Sequence, residues 1–211
     1  MSVGEARLNE LLAAVDQEPV DDEQRARFEL YVSLLLRWNA RMNLTSVRDE
    51  EGIVSRHIIE SIVVARNLPA GIATLLDFGS GAGLPGIPIA LCRPEIAVML
   101  AESQGKKAAF LREAVRVLDL KIRVHGGRAE ALAEKFDCVT LRAVDRMGEA
   151  VRSGARLVQE HGCLALMTTL ADEAGLKVAA GAGFEWIDPA LLPGGRGRIL
   201  ALGFRRHSQT D

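Results

Sequence analysis

The chain has 211 residues, of which 48% are apolar and 26% charged, with 20 glycines and 7 prolines. That composition suits one α/β domain with a sizeable core and a small appendage, and it excludes a disordered, collagen-like or low-complexity protein. A net charge of −2 excludes coating of nucleic acid by bulk charge alone. No run of eighteen apolar residues offers a membrane span, and the polar residues 1–9 lack a signal-peptide core. Cys92, Cys138 and Cys163 fit neither a disulfide framework nor zinc spacing, so they read as buried free thiols in a reducing cytosol, with no metal site expected.

Residues 1–71 carry 8 Lys and Arg against 12 Asp and Glu, and the remainder carries 18 against 16. The first part reads as helical. Residues 5–15 form a short amphipathic stretch. Asp21 followed by Gln24 predicts a capping box. Phe28, Val32, Leu35 and Met42 then recur at helical spacing beside Tyr31 and Trp38. A third helix is predicted over 53–67, and Leu68-Pro69-Ala70-Gly71 punctuates the chain, so a helical part (1–71) is expected to precede an α/β domain (72–211).

From residue 73 short apolar runs alternate with helix-length segments. Strands are predicted at 74–78, 98–101, 122–125, 138–141, 164–168 and 199–204, and helices at 84–92, 106–118, 130–134, 145–160 and 171–180. Such alternation predicts a mostly parallel sheet covered on both faces, with ligand bound beyond the carboxyl ends of the strands where strand order reverses.

The strongest local signal is Asp77-Phe78-Gly79-Ser80-Gly81-Ala82-Gly83-Leu84-Pro85-Gly86, between a predicted strand and a predicted helix. Three glycines in alternation let backbone approach a ligand closely. The nicotinamide fingerprint fails, because counting from Gly79 its third glycine falls on Leu84, and counting from Gly81 leaves Asp77 without a role. The D-x-G-x-G-x-G pattern instead resembles class I S-adenosylmethionine methyltransferases. An acid at the next strand end, 19 residues after Gly83, is Glu102, whose carboxylate can accept from both ribose hydroxyls. Arg128-Ala129-Glu130 follows the third strand, where such sheets border adenine, and Arg142 ends the fourth. No Asn/Asp-Pro-Pro-aromatic run and no Pro-Cys follows that fourth strand, and neither His125 nor His161 has an acidic partner at a local spacing. The fourth strand end therefore offers an arginine and no base. The residues alone reach a methyltransferase that needs no base, with its substrate open.

The chain also resembles the bacterial small-subunit rRNA methyltransferase G family, glucose-inhibited division protein B. The resemblance is carried by Trp38-Asn39-Ala40-Arg41-Met42-Asn43-Leu44-Thr45, by Arg56-His57-Ile58-Ile59-Glu60-Ser61 and by the glycine loop with its Pro85-Gly86. It continues through Glu102-Ser103 with Lys106-Lys107, through Arg128-Ala129-Glu130 and Arg142-Ala143, and through Leu192-Pro193 with Arg198. At 60 and 102 this chain has Glu where the family pattern has Asp. The resemblance implies a Rossmann-like, mostly parallel seven-stranded sheet with an N-terminal helical extension. It implies a methyl transfer from S-adenosylmethionine to N7 of a guanine in 16S rRNA, in the cytoplasm, on naked rRNA or a small-subunit particle. Guanine N7 has an in-plane lone pair and needs no deprotonation, so alignment alone can carry the displacement. Cofactor-binding residues are then expected at Asp77, Gly79, Ser80, Gly81, Gly83, Leu84, Glu102, Ser103, Ala129, Glu130 and Arg142, with Arg142 also catalytic. Arg142 and Arg198 are expected near the cofactor mouth, and Arg196, Arg205 or Arg206, set against Asp211 alone in the last nineteen residues, is expected to extend the same basic face over the RNA. A monomer is expected. A small-molecule methyltransferase and a non-catalytic ribosome-assembly module stay open as alternatives.

Overall fold

The computed structural model describes residues 7–195 and 197–206. Four helical elements come first: α1 (Arg7–Ala13), α2 (Asp22–Asn39), α3 (Glu50–Ile53) and α4 (Ile59–Asn67). Asp21 caps α2 as expected, its side chain accepting from Gln24 N while Gln24 reaches back to the Asp21 N–H. The helix predicted over 53–67 begins earlier and is not uniform. Between α3 and α4 lies a π-helical turn (Val54–Ile58), in which the Ile59 N–H donates to Val54 O.

The α/β part then runs β1 (Thr74–Phe78), α5 (Gly86–Cys92), β2 (Ala97–Ala101), α6 (Gly105–Val117), β3 (Arg123–His125), β4 (Phe136–Arg142), α7 (Met147–Leu157), β5 (Val158–Thr169), α8 (Leu170–Ala180), β6 (Phe184–Trp186), β7 (Ala190–Leu191) and β8 (Arg198–Arg205). The sheet order is β3-β2-β1-β4-β5-β8-β6, with the two-residue β7 added against β8. The pairs among β1 to β5 are parallel, and β8 runs antiparallel to its neighbours. The chain leaves β1 toward β3 and returns to β4 on the other side, so the order reverses between β1 and β4, where a ligand crevice belongs.

Alternate residues of each strand enter different cores. Leu75, Leu100, Ala165 and Leu202 join one cluster with Phe28, Tyr31, Leu35 and Ile62 of the N-terminal helices. Leu76, Met99, Leu141 and Ile199 join the other, with Val151 and Leu176 from α7 and α8. The period of two seen in the burial is the pleat of the strand. Trp38 of α2 meets Phe110 of α6 edge-on at 5.7 Å, and Gln24 donates to Leu91 O of α5 at 3.1 Å, so α2 is tied directly to the helices that flank the glycine loop.

Three expectations need correction. The helix predicted over 145–160 stops at Leu157, and Val158 already pairs with Phe136 as β5. The polar Gln159-Glu160-His161 run hides that strand start. The helix predicted over 130–134 is only a 3-10 turn (Ala129–Ala131). Strands β6 and β7 went unpredicted, being three and two residues long and too short for any period.

Candidate functional site

The loop after β1 turns on three left-handed glycines, with φ of 70° at Gly79, 55° at Gly81 and 83° at Gly83. A Cβ on Gly83 would sit 2.5 Å from Ile87 Cδ1, and one on Gly79 would sit 3.0 Å from Val144 Cγ2, so neither tolerates a side chain. The loop is braced from several sides. Ser80 donates to Asp77 O at 2.8 Å through its hydroxyl and to Ala101 O at 3.0 Å through its backbone N–H. Tyr31 of α2 donates its hydroxyl to Ala82 O at 2.5 Å, so an N-terminal helix fixes the loop from beneath. Leu84 is buried behind it.

Asp77 is buried under the loop. One carboxylate oxygen accepts from Thr140 Oγ1 at 2.9 Å and the other from Gly86 N at 3.2 Å. Burial raises its pKa to about 6, against the pull of those hydrogen bonds. Gly86, the glycine of the Pro-Gly extension, must be glycine because a Cβ would sit 2.8 Å from Asp77 Oδ2 and would also strike Leu100.

Glu102, just past β2, accepts from Gly81 N at 3.0 Å with one oxygen and from Gln104 N at 2.7 Å with the other. The acid expected at the second strand end therefore also locks the glycine loop to that end, and each carboxylate oxygen retains a lone pair for a further donor. Ser103 follows on the exposed side. Ala129, buried, and Glu130, exposed, lie on the 3-10 turn beyond β3. Positive-φ glycines closing on a strand end, with an acid at the next strand end, fit an adenosyl group carrying a short amino-acid tail.

Beyond β4 lies a second feature. Arg56, Glu60, Arg142, Arg198, Met147 and Met167 help to line a cleft of about 620 Å³. Arg142 is nearly buried, with 8% of its side chain exposed. Its Nη2 donates to Glu60 Oε2 at 2.9 Å and to His57 Nδ1 at 2.7 Å, and approaches Arg56 O at 3.5 Å. Arg198 donates from Nη2 to the same Glu60 oxygen at 3.0 Å, and its Nε is ion-paired with Glu60 Oε1. Burial raises the Glu60 carboxyl while the two guanidiniums pull it back. Burial likewise lowers Arg142, opposed first by Glu60. His57 is depressed to about 4 by burial and by Arg142. Because its Nδ1 accepts from Arg142, neutral His57 carries its proton on Nε2 and donates it to Thr45 Oγ1 at 2.9 Å. Thr45 is held in turn by Asn39, which accepts from Thr45 N at 3.0 Å and donates to Val47 O at 2.8 Å. The backbone is strained here as well, with Ala143 and Arg146 in the left-handed region at φ of 47° and 55°.

Sequence reasoning singled out Arg142 and Arg198, and the structure brings them together. It noted Asn39, Thr45, His57 and Glu60 only as letters of a motif. Their contact spans sequence separations of up to 138 residues, and no local signal encodes that. Arg205 does not extend the basic face on which Arg198 lies. Arg198 opens β8 at the cleft, whereas Arg205 closes it at the opposite end of the sheet, roughly 23 Å away at the usual rise per strand residue. There Arg205 donates to Ala155 O at 2.7 Å and lies over the Phe184 ring. Arg206 follows it, its backbone N–H donating to Gly183 O. Arg196 lies outside the described residues. Among the described residues, no group of three or more His, Cys, Asp or Glu side chains is placed to hold a metal ion, and no helix is long and apolar enough to cross a membrane.

A β3-β2-β1-β4-β5 parallel core with one reversed strand, a glycine loop after β1 and an acid after β2 define a class I methyltransferase. Solved structures share that fold: a methyltransferase from Pyrococcus furiosus (TM-score 0.61, 14% identity, covering 89% of this chain and all of the other) and P. horikoshii TYW2 in complex with MeSAdo (TM-score 0.58, 14% identity, 72% and 63%). Residues 24–181 match the family described as rRNA small subunit methyltransferase G, GidB, and the chain belongs to that family. The ribosomal RNA small subunit methyltransferase G of Roseiflexus sp. is 38% identical over 196 residues, 87% of this chain and 84% of the relative. That of Xanthomonas axonopodis pv. citri is 46% identical over 140 residues, which span 65% of each chain.

Proposed function

We propose that this protein transfers the methyl group of S-adenosylmethionine to N7 of a guanine in small-subunit (16S) rRNA, acting as a monomer in the cytoplasm on the RNA or its subunit particle. The observation that carries the reading is a glycine-loop cradle after β1 together with an arginine-lined cleft at the end of the neighbouring β4. Gly79, Ser80, Gly81, Gly83 and Leu84 would hold the cofactor from one side, with Asp77 beneath them. Glu102, Ser103, Ala129 and Glu130 would hold it from the other. The bound cofactor supplies an electrophilic methyl on a sulfonium.

Two of the cleft's possible bases are already committed to other partners. Glu60 is engaged by two guanidiniums, and His57 spends its lone pair on Arg142. An acceptor that already presents a lone pair suits such a site, and the chain contributes alignment, excluded water and fixed positive charge. With its Nη2 committed, Arg142 can offer its remaining guanidinium hydrogens to the acceptor base, and Arg198 adds charge at the rim. The N-terminal helical part (1–71) supplies Arg56, His57 and Glu60 to this floor and completes the site of the α/β part (72–211).

The test is incubation with methyl-labelled S-adenosylmethionine and either small-subunit rRNA or particles, followed by mapping of the modified base. N7-methylguanine at one position is expected, with a single-turnover rate flat from about pH 6 to 9. Label appearing only in small molecules would favour the small-molecule alternative, and cofactor binding without any transfer would favour an assembly module.

A further inference from the structure

We propose that Glu60 is a positioning residue, a buried carboxylate that fixes both Arg142 and Arg198 against the floor of the acceptor cleft. The proposal rests on the methyl-transfer reading above and assigns a task to a residue that touches neither the glycine loop nor Glu102. Glu60 is 1% exposed; its Oε2 accepts from the Nη2 of both arginines, and its Oε1 is ion-paired with Arg198 Nε. Arg142 ends β4 and Arg198 begins β8, with β5 between them, so no backbone pairing sets one guanidinium against the other. Two like charges in one half-buried cleft repel, and Arg56 adds a third. One anion within reach of both converts that repulsion into a fixed fork.

The same Arg142 Nη2 also meets an uncharged acceptor, His57 Nδ1, and that donation fixes the His57 tautomer, leaving Nε2–H for Thr45 Oγ1. An anion and a neutral acceptor on one nitrogen leave Arg142 few rotamers. The longer side chain at position 60 suits the task. Aspartate would keep the charge but lose one methylene of reach, so it could serve one arginine well and the other poorly. Glutamine keeps the length but removes the anion and turns half of its amide into a donor facing two cations.

The experiment uses the full chain with Glu60→Gln and Glu60→Asp. Nitrogen-15 spectra of the arginine guanidinium groups are assigned through Arg142→Lys and Arg198→Lys. In the unaltered protein the Arg142 and Arg198 signals should be shifted and slow in solvent exchange, and in Glu60→Gln both should move toward free arginine. Single-turnover methyl transfer to small-subunit rRNA at saturating RNA should fall about tenfold to a hundredfold in Glu60→Gln, the scale of a displaced positioning group. RNA KM should change less than threefold and cofactor Kd less than twofold. Glu60→Asp should recover part of the rate and restore the signal of one arginine.

Unchanged guanidinium signals in a folded Glu60→Gln, or a rate within twofold of the unaltered protein, would overturn the proposal. If Glu60→Gln does not fold, Glu60→Asp decides: full rate with unchanged signals overturns the proposal, and partial rate with one altered arginine supports it. Guanidinium signals that respond to position 60 in a protein that never methylates rRNA would uphold the clamp and reject the substrate reading.

Discussion

Asp77 should make the protein less stable at neutral pH than it would be without the charge. It is 1% exposed with two hydrogen-bond donors, and burial carries its pKa from the ordinary 3.8 to about 6. A carboxyl that binds its proton more tightly in the folded state contributes stability below about pH 4, and that contribution is lost as pH rises through about 6. At about 1.4 kcal/mol per tenfold change in ionisation constant, the rise corresponds to about 3 kcal/mol. Asp77→Asn stays neutral throughout and can still accept from Gly86 N. It should therefore be more stable than the parent at pH 7–8 by about 1–3 kcal/mol, or roughly 2–12 °C in Tm for a domain of this size. The gain should vanish near pH 4. Urea unfolding of both proteins at intervals from pH 4 to 8 measures it, because other titrating groups cancel in the difference. A difference that does not change with pH, or a variant less stable at pH 8, would refute the reasoning. The same variant should lose methyl transfer, a stability–function trade-off.

Gly86→Ala should destabilise by about 1–3 kcal/mol through overpacking against Asp77 and Leu100, whereas Gly105→Ala, with open space around its Cβ, should not; thermal melts of the pair decide. Gly79→Val should abolish calorimetric binding of S-adenosylmethionine, because a β-branched residue would have to hold φ near 70° against Val144. Tyr31→Phe should strand the buried Ala82 carbonyl, cost about 1–3 kcal/mol in urea unfolding and weaken cofactor affinity through the loosened loop. Arg205→Ala should leave the salt dependence of rRNA binding unchanged, since its guanidinium is tied down at the far end of β8. A phosphate-contacting arginine at the cleft would lower the slope by about 0.7–0.9 log units.

The cofactor half of the site was legible because its signals are local. A strand, three glycines that need positive φ, a helix start and an acid at the next strand end all fall within 29 consecutive residues, from Thr74 to Glu102. The capping box at Asp21 was legible for the same reason. The acceptor half was not. Glu60, His57, Arg142 and Arg198 meet only when α4, β4 and β8 pack, and nothing in the letters says that β8 runs opposite to its neighbours. The extended run of β8 from Arg198 to Arg205 is why these two arginines, close together in sequence, lie at opposite ends of the sheet. The boundary between α7 and β5 was hidden because no turn residue separates Leu157 from Val158.

The π-helical turn at Val54–Ile58 bears on how this protein can vary. A helix that closes one hydrogen bond across five residues holds one residue more than an α-helix needs to cover the same rise. Deleting one residue there would restore regular α-helical bonding, yet it would turn every preceding side chain by about 100° relative to Glu60. Arg56 and His57 would leave the cleft, and the fully buried Ile53 ahead of them would turn out of the core. The extra residue thus marks a point where chain length answers to the acceptor cleft and to the core together. A shortened variant should lose both stability and the reaction, and insertions or deletions in this segment should be tolerated far less than in the surface turn at Pro69–Gly71.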